Sequence, residues 1–242
     1  MKMQNRTRDY GQSRSLLAGM LGITLLLSGC GGDDSNTADA VSGDNTTAVV
    51  TTVASDFSSG QVELIEFDGS LSASGGYHPT ISDIAVSTHD NDYYLIERYQ
   101  YDLINKVDLD NPAVFEWRHG AVSAGSSSSA NPYGLIFASD SKAYLLRYGK
   151  EKAWIVDPTA QNQANFKIGE LDLSSYTPGN GSVPGMSAGL IHDGKLYITL
   201  QRLDSNYAPA NTSCVAVFNV SDNDEVDTGQ GGSDCGKGIA LN

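Results

Sequence analysis

The chain has 242 residues, a formal net charge of −14 at pH 7, 26 glycines and 40% hydrophobic residues. It is long enough to bury a core and rich in turn formers. Its acidity argues against nucleic acid as a partner and against adhesion to anionic lipid through charge.

Lys2, Arg6, Arg8 and Arg14 precede an apolar run over residues 16–27 that is short for a membrane span. The run ends in Leu27-Ser28-Gly29-Cys30, which resembles the bacterial lipobox. That resemblance implies loss of residues 1–29 as a lipoprotein signal peptide, thioether lipidation of Cys30 and acylation of the new amine. Several acyl chains on one residue anchor stably, since each buried CH₂ contributes about 0.8 kcal/mol. Gly31 follows the cysteine where proteins retained in an inner membrane carry Asp, so a Gram-negative source would imply the outer membrane. Apart from Cys30 and Val41, residues 30–47 are Gly, Asp, Ser, Asn, Thr and Ala without periodicity, which predicts a disordered tether.

Residues 48–242 read as strands. Segments 49–53 and 61–67 are two strands, followed by a weak third at 71–76. They align with the second and third strands of the later repeats, so the first blade lacks its innermost strand. The second blade is predicted at 84–87, 93–98, 103–109 and 114–118, and the third at 135–138, 143–147, 152–156 and 166–173. The fourth takes 189–192, 196–201 and 215–220. A long acidic loop follows, and then only residues 237–242. Short apolar runs closed by turn residues are strands rather than helices. One turn-then-strand motif occurs three times, starting at Asp90, Asp140 and Asp193, at intervals of 50 and 53 residues. A period near 50 in an all-β chain predicts β-propeller blades. The chain offers about three and a half to four four-stranded antiparallel sheets, a partial propeller that reads as incomplete at the C-terminus.

The segments NPYGLIF, KAYLLRYG, KAWIVDP, PGMSAGLIHDGKLYITLQRLD and CVAVFNV resemble bacterial surface and lipoprotein propellers of the YVTN or YncE-like kind. The resemblance covers about residues 80–220 and implies a propeller in a cell-surface setting.

Strand direction alternates in a propeller, so the loops between blades and the turns between second and third strands share one face. Long loops on a rigid frame favour function. This face is predicted to collect Tyr77, His78, Arg98, Tyr99, His119, Tyr133, Arg147, Tyr148, Met186 and Arg202. Arg98, Arg147 and Arg202 recur at the end of the second strand, where converging guanidinium groups would hold a carboxylate or sugar acid; local pairing is the alternative. Tyr77, His78 and Tyr133 complete the candidate ligand site. The four histidines show no ligand spacing, the acidic residues 222–227 lack EF-hand spacing, and no nucleophile or phosphate motif occurs. No catalytic residue, metal or cofactor is therefore assigned. With Cys30 lipidated, Cys214 and Cys235 remain and are expected to be bridged. The combined expectation is a non-enzymatic lipoprotein of the cell envelope, most simply at the outer membrane. It would be held there by its lipid and would bind an envelope protein, a glycan or a small anion. The alternative is a lactonase-like or quinoprotein-like propeller enzyme.

Overall fold

The computed structural model describes residues 47–67, 71–179 and 182–241. The leader, Cys30 and the tether up to residue 46 lie outside them. Four antiparallel sheets follow one another along the chain and form a partial β-propeller. The first has three strands, β1 (Thr47–Val53), β2 (Gly60–Glu66) and β3 (Ala73–Thr80). The second has β4 (Ile84–His89), β5 (Asp92–Glu97), β6 (Leu103–Asp108) and β7 (Trp117–Gly120). The third has β8 (Pro132–Ser139), β9 (Lys142–Arg147), β10 (Lys152–Val156) and β11 (Lys167–Asp172), with a one-turn helix α1 (Gln163–Phe166) leading into β11. The fourth has β12 (Met186–His192), β13 (Lys195–Leu200), β14 (Cys214–Asn219) and the short β15 (Ile239–Ala240).

Three hydrophobic clusters fill the spaces between consecutive blades. Side chains alternate across a strand, so neighbouring residues of one central strand serve two clusters. Tyr93 and Leu95 of β5 pack against Val62 and Leu64 of the first blade, whereas Tyr94 and Ile96 face the third. In β9, Ala143 and Leu145 face the second blade while Tyr144 and Leu146 face the fourth. A strand covered on both faces needs a continuous apolar run, which is why β5 and β9 read DYYLIE and KAYLLR. In β13, KLYITL, only Leu196, Ile198 and Leu200 are fully buried. Tyr197 and Thr199 turn to the side where no described blade follows. Between β12 and β13, Asp193 (φ 48°) and Gly194 (φ 67°) make the two-residue hairpin that their sequence specifies.

Strand direction fixes the reading of the first blade. Residues 81–83 alone separate β3 from β4, so β4 starts at the end of the domain where β3 stops. β1 therefore runs opposite to β4 and holds the second-strand place, as the alignment predicts. Among the described residues nothing pairs with its inner edge. Gly60 opens β2 against the crossing into the second blade; a Cβ there would lie 2.6 Å from the Ile81 carbonyl oxygen.

Three boundaries differ from expectation. The third strand of the first blade runs to Thr80 and includes Tyr77 and His78, despite two glycines and a proline. Its pairing with β2 absorbs them through two register shifts. The outer strand of the second blade begins at Trp117, and Val114 is left exposed in the preceding turn. Residues 239–240, expected only as a remnant after the acidic loop, pair with β14 as the outer strand of the fourth blade.

Candidate functional site

Each second strand ends beside the residues that lead into the first strand of the same blade. The Arg98 amide donates to the Asp83 carbonyl (2.9 Å), the Tyr148 amide to Asn131 (3.0 Å) and the Arg202 amide to Pro184 (3.1 Å). These ends and the inter-blade crossings thus share one face, as strand alternation requires. Asp102 fixes the crossing between the second and third blades. It is 6% exposed, and its Oδ1 accepts from Ser129 Oγ (2.8 Å) and from the amides of Ala130 (2.9 Å) and Asn131 (2.7 Å). Its carbonyl accepts the Ala121 amide at 2.7 Å. One residue of the β5–β6 turn therefore clamps both ends of the loop that spans residues 121–131.

On this face lies a cleft of about 270 Å³ whose lining includes Tyr99, Asn131, Tyr148, Ser182, Asp204 and Tyr207. Its aromatic part is built in layers. The Arg98 guanidinium sits 3.7 Å from the centre of the Tyr133 ring, and Tyr133 stacks on Tyr148 (centroids 4.7 Å, planes 20° apart). The Tyr148 hydroxyl donates to Gln201 Oε1 at 3.0 Å, and burial pushes its pKa up, keeping it a neutral donor. Tyr99 and Tyr207 stand at the rim with 55% and 75% of their surface exposed. The polar part holds Asn131 Oδ1 and Ser182 Oγ, both buried and without a partner among the described residues. A buried polar atom left unpaired costs about 1–3 kcal/mol, so both atoms favour a ligand or water that hydrogen-bonds to them. Asp204 Oδ1 accepts the amides of Asn206 and Ala208, each at 2.8 Å, which shapes the loop that presents Tyr207.

The three recurrent arginines occupy equivalent ends but do not form a shared cradle. Arg147 and Arg202 are 5% and 7% exposed. Arg147 Nε donates to the Ala121 carbonyl (3.0 Å) and Nη1 to that of Lys152 (3.2 Å), with the guanidinium over the Trp154 ring. Arg202 Nε donates to the Tyr176 carbonyl (2.8 Å) and Nη1 to that of Thr212 (2.7 Å). Each reaches back to the exit of the preceding blade. Arg98 instead turns forward, pairs with Asp83 at 3.2 Å and lies on Tyr133. The cause is strand parity. Counted from the aligned tyrosines Tyr144 and Tyr197, Arg147 and Arg202 stand at odd offsets, whereas Arg98 stands at an even offset from Tyr94. Glu97 fills the odd position in the second blade, accepting from Thr80 at the exit of the first blade and from Arg118.

Tyr77 and His78 lie in β3, away from the cleft; His78 stacks on Phe115 at 3.8 Å. His119 is buried between Trp117 and Phe166, with Nε2 at 2.8 Å from the Ala160 carbonyl oxygen, and Met186 is buried in the core. Of the residues predicted for this face, Tyr99 and Tyr148 line the cleft, and Tyr133 and Arg98 support it. Asn131, Ser182, Asp204 and Tyr207 were not anticipated. The signal for the last two was the unusually long link between β13 and β14, which carries a lone tyrosine among polar residues. Cys214 and Cys235 are disulfide-bonded with Cα atoms 5.7 Å apart, tying the start of β14 to the segment before β15.

The chain matches no protein-family model and no curated protein. Among solved structures it is similar to hydrazine synthase of Kuenenia stuttgartiensis, with a TM-score of 0.51 at 12% identity over 75% of this chain and 43% of that one. It is also similar to a streptogramin B lyase (TM-score 0.47, 12% identity, 77% and 56% covered). A third is virginiamycin B lyase from Staphylococcus aureus (TM-score 0.46, 11% identity, 74% and 54% covered). The chain spans about half the length of these proteins. The first likeness is one of fold alone.

Proposed function

We propose that this chain is a non-enzymatic envelope lipoprotein of the YVTN or YncE-like kind, whose propeller-like domain binds a glycan in the cleft of Tyr99, Tyr148 and Tyr207. The observation that carries the reading is the pairing, in one cleft, of an aromatic wall with polar atoms on Asn131 and Ser182 that have no partner among the described residues. Tyrosine faces pack on the apolar faces of sugar rings, and fixed polar atoms select their hydroxyls. A glycan is favoured over a small anion. Arg147 and Arg202 are occupied by backbone carbonyls, Arg98 by Asp83, and the cleft lining carries the carboxylate of Asp204. The same lining would accept a peptide through its polar atoms, but the three tyrosines give it nothing specific to an extended backbone.

The test is a glycan array followed by titration of the best binder. Tyr99→Ala and Tyr207→Ala remove exposed rings and should each weaken binding by about 10-fold, equal to about 1.4 kcal/mol, with the fold unchanged. Binding that survives both substitutions, or no glycan binding at all, refutes the reading.

The anchor belongs to the same proposal: cleavage before Cys30, lipidation of Cys30 and a tether over residues 30–47 that displays the domain at the outer membrane. Labelled palmitate should enter the wild-type chain and not the Cys30→Ser variant; equal labelling would rule the anchor out.

A further inference from the structure

On the opposite face, the turns between first and second strands bring together residues of two blades. His89 is the last residue of β4, Asp90 opens the β4–β5 turn, and Asp140 opens the β8–β9 turn of the next blade. His89 Nε2 lies 3.1 Å from Asp140 Oδ1 and 3.6 Å from Asp90 Oδ2, and the three ligand atoms all fall within 4.8 Å of one another. We propose that His89, Asp90 and Asp140 form a Zn²⁺ site that links the second and third blades.

Three observations carry this. The first is geometric. Zinc bonds to nitrogen and oxygen run about 2.0–2.2 Å, so the edges of a tetrahedral site are about 3.3–3.6 Å. The two separations measured from Nε2 bracket that value. Three protein ligands leave the fourth position open to water on an exposed face. The second is electrostatic. Among the described residues, both carboxylates pair with His89 itself. With neutral imidazole the trio carries two negative charges, which a divalent cation neutralises. One nitrogen and two carboxylates suit zinc better than calcium, which takes six to eight oxygens. The third is preorganisation. The His89 ring lies parallel to that of Phe137 from β8, within 1° and with centroids 4.5 Å apart. The same stack that joins the blades therefore aims Nε2 at Asp140 before any ion arrives.

The fourth blade supplies an internal control. His192 and Asp193 repeat the pair in sequence, with Nε2 3.3 Å from Oδ2. Among the described residues no further blade brings them a third ligand. Sequence spacing could not reveal the site, because Asp140 lies about fifty residues from His89 and reaches it only through packing.

The experiment is titration of the full chain with Zn²⁺ against a chromophoric chelator, with Ca²⁺ as comparator. One Zn²⁺ per chain is expected. Asp140→Asn and His89→Gln should each weaken it by at least about 10-fold, His192→Gln should leave it unchanged, and Ca²⁺ should not compete. Asp140 is 81% exposed at its side chain, so its variant keeps the fold and remains informative if His89→Gln does not. Zinc binding that is absent, unaffected by Asp140→Asn, or equally lost with His192→Gln overturns the proposal, as does displacement by Ca²⁺.

Discussion

Arg147 reaches back across a blade boundary: its Nε donates to the Ala121 carbonyl, just past the last strand of the second blade, at 3.0 Å. Arg202 repeats the contact one blade later with Tyr176 at 2.8 Å. Both also hold the start of their own third strand, through Lys152 and Thr212. Charged side chains thus close backbone carbonyls that a sharp inter-blade exit leaves without strand partners. Burial lowers the Arg147 pKa to about 10, which still leaves the guanidinium charged at neutral pH.

Arg147→Ala leaves two carbonyls without that donor and uncovers the face of Trp154. Hydrogen bonds to charged groups contribute about 1.5–3 kcal/mol each, so the expected loss of stability is about 2–4 kcal/mol. Arg98→Ala breaks a partly exposed ion pair and should cost about 1 kcal/mol or less. Urea unfolding of the two variants checks the order. If Arg98→Ala costs as much as Arg147→Ala, the two arginines hold the fold in the same way and the parity argument fails.

His78 gives stability a pH dependence. Loss of hydration is the main cause that lowers its imidazole pKa in the fold, with the charge of Arg118 adding to it against the opposing effects of Pro112 and Glu97. In the unfolded chain it titrates near 6.5, about the ordinary value. Between the folded value and that one, the unfolded chain binds a proton that the folded chain refuses. Stability is therefore full above about pH 6.5 and declines as pH falls below it. His78→Asn tolerates the left-handed backbone at this position (φ 49°) and should flatten that decline. Parallel declines in both proteins, followed by denaturant titration at several pH values, would assign the effect elsewhere.

The bridge between Cys214 and Cys235 closes a segment with a sequence separation of 21 and stabilises by about 3 kcal/mol on chain-entropy grounds. Replacing both cysteines by alanine should cost about 2–4 kcal/mol. The faster amide exchange should concentrate in residues 221–241, since β15 is two residues long and has little pairing of its own. Exchange that rises equally across all four blades would mean that the bridge supports the whole domain.

Much of this architecture was legible because the turn-and-strand motif at Asp90, Asp140 and Asp193 marks the same corner of three blades. Strand order then places β1 second in the first blade, with no inner strand among the described residues. The unequal offsets of Arg98, Arg147 and Arg202 already held the reason that they do not converge. β3 was obscured because Gly75, Gly76 and Pro79 carry the composition of a loop, and only pairing with β2 makes them a strand. Asp102 was hidden by distance, since its partners lie about 28 residues along the chain. The cleft was hidden for the same reason. Tyr99, Tyr148 and Tyr207 come from three blades, and no spacing within any one segment encodes their meeting.

The inner edge of β1 has a bearing on how the protein behaves in concentrated solution. Its sequence, TAVVTTV, has no charge and no proline, the two devices by which natural edge strands discourage pairing with other molecules. Six of its seven residues are β-favouring Val or Thr, and among the described residues the strand presents an open row of amides and carbonyls. Self-association should begin there, and Val50→Lys should lower the light scattering of concentrated samples. In crowded surroundings, the same strand is the place where a misplaced neighbour would be incorporated by backbone pairing, without regard to its side chains.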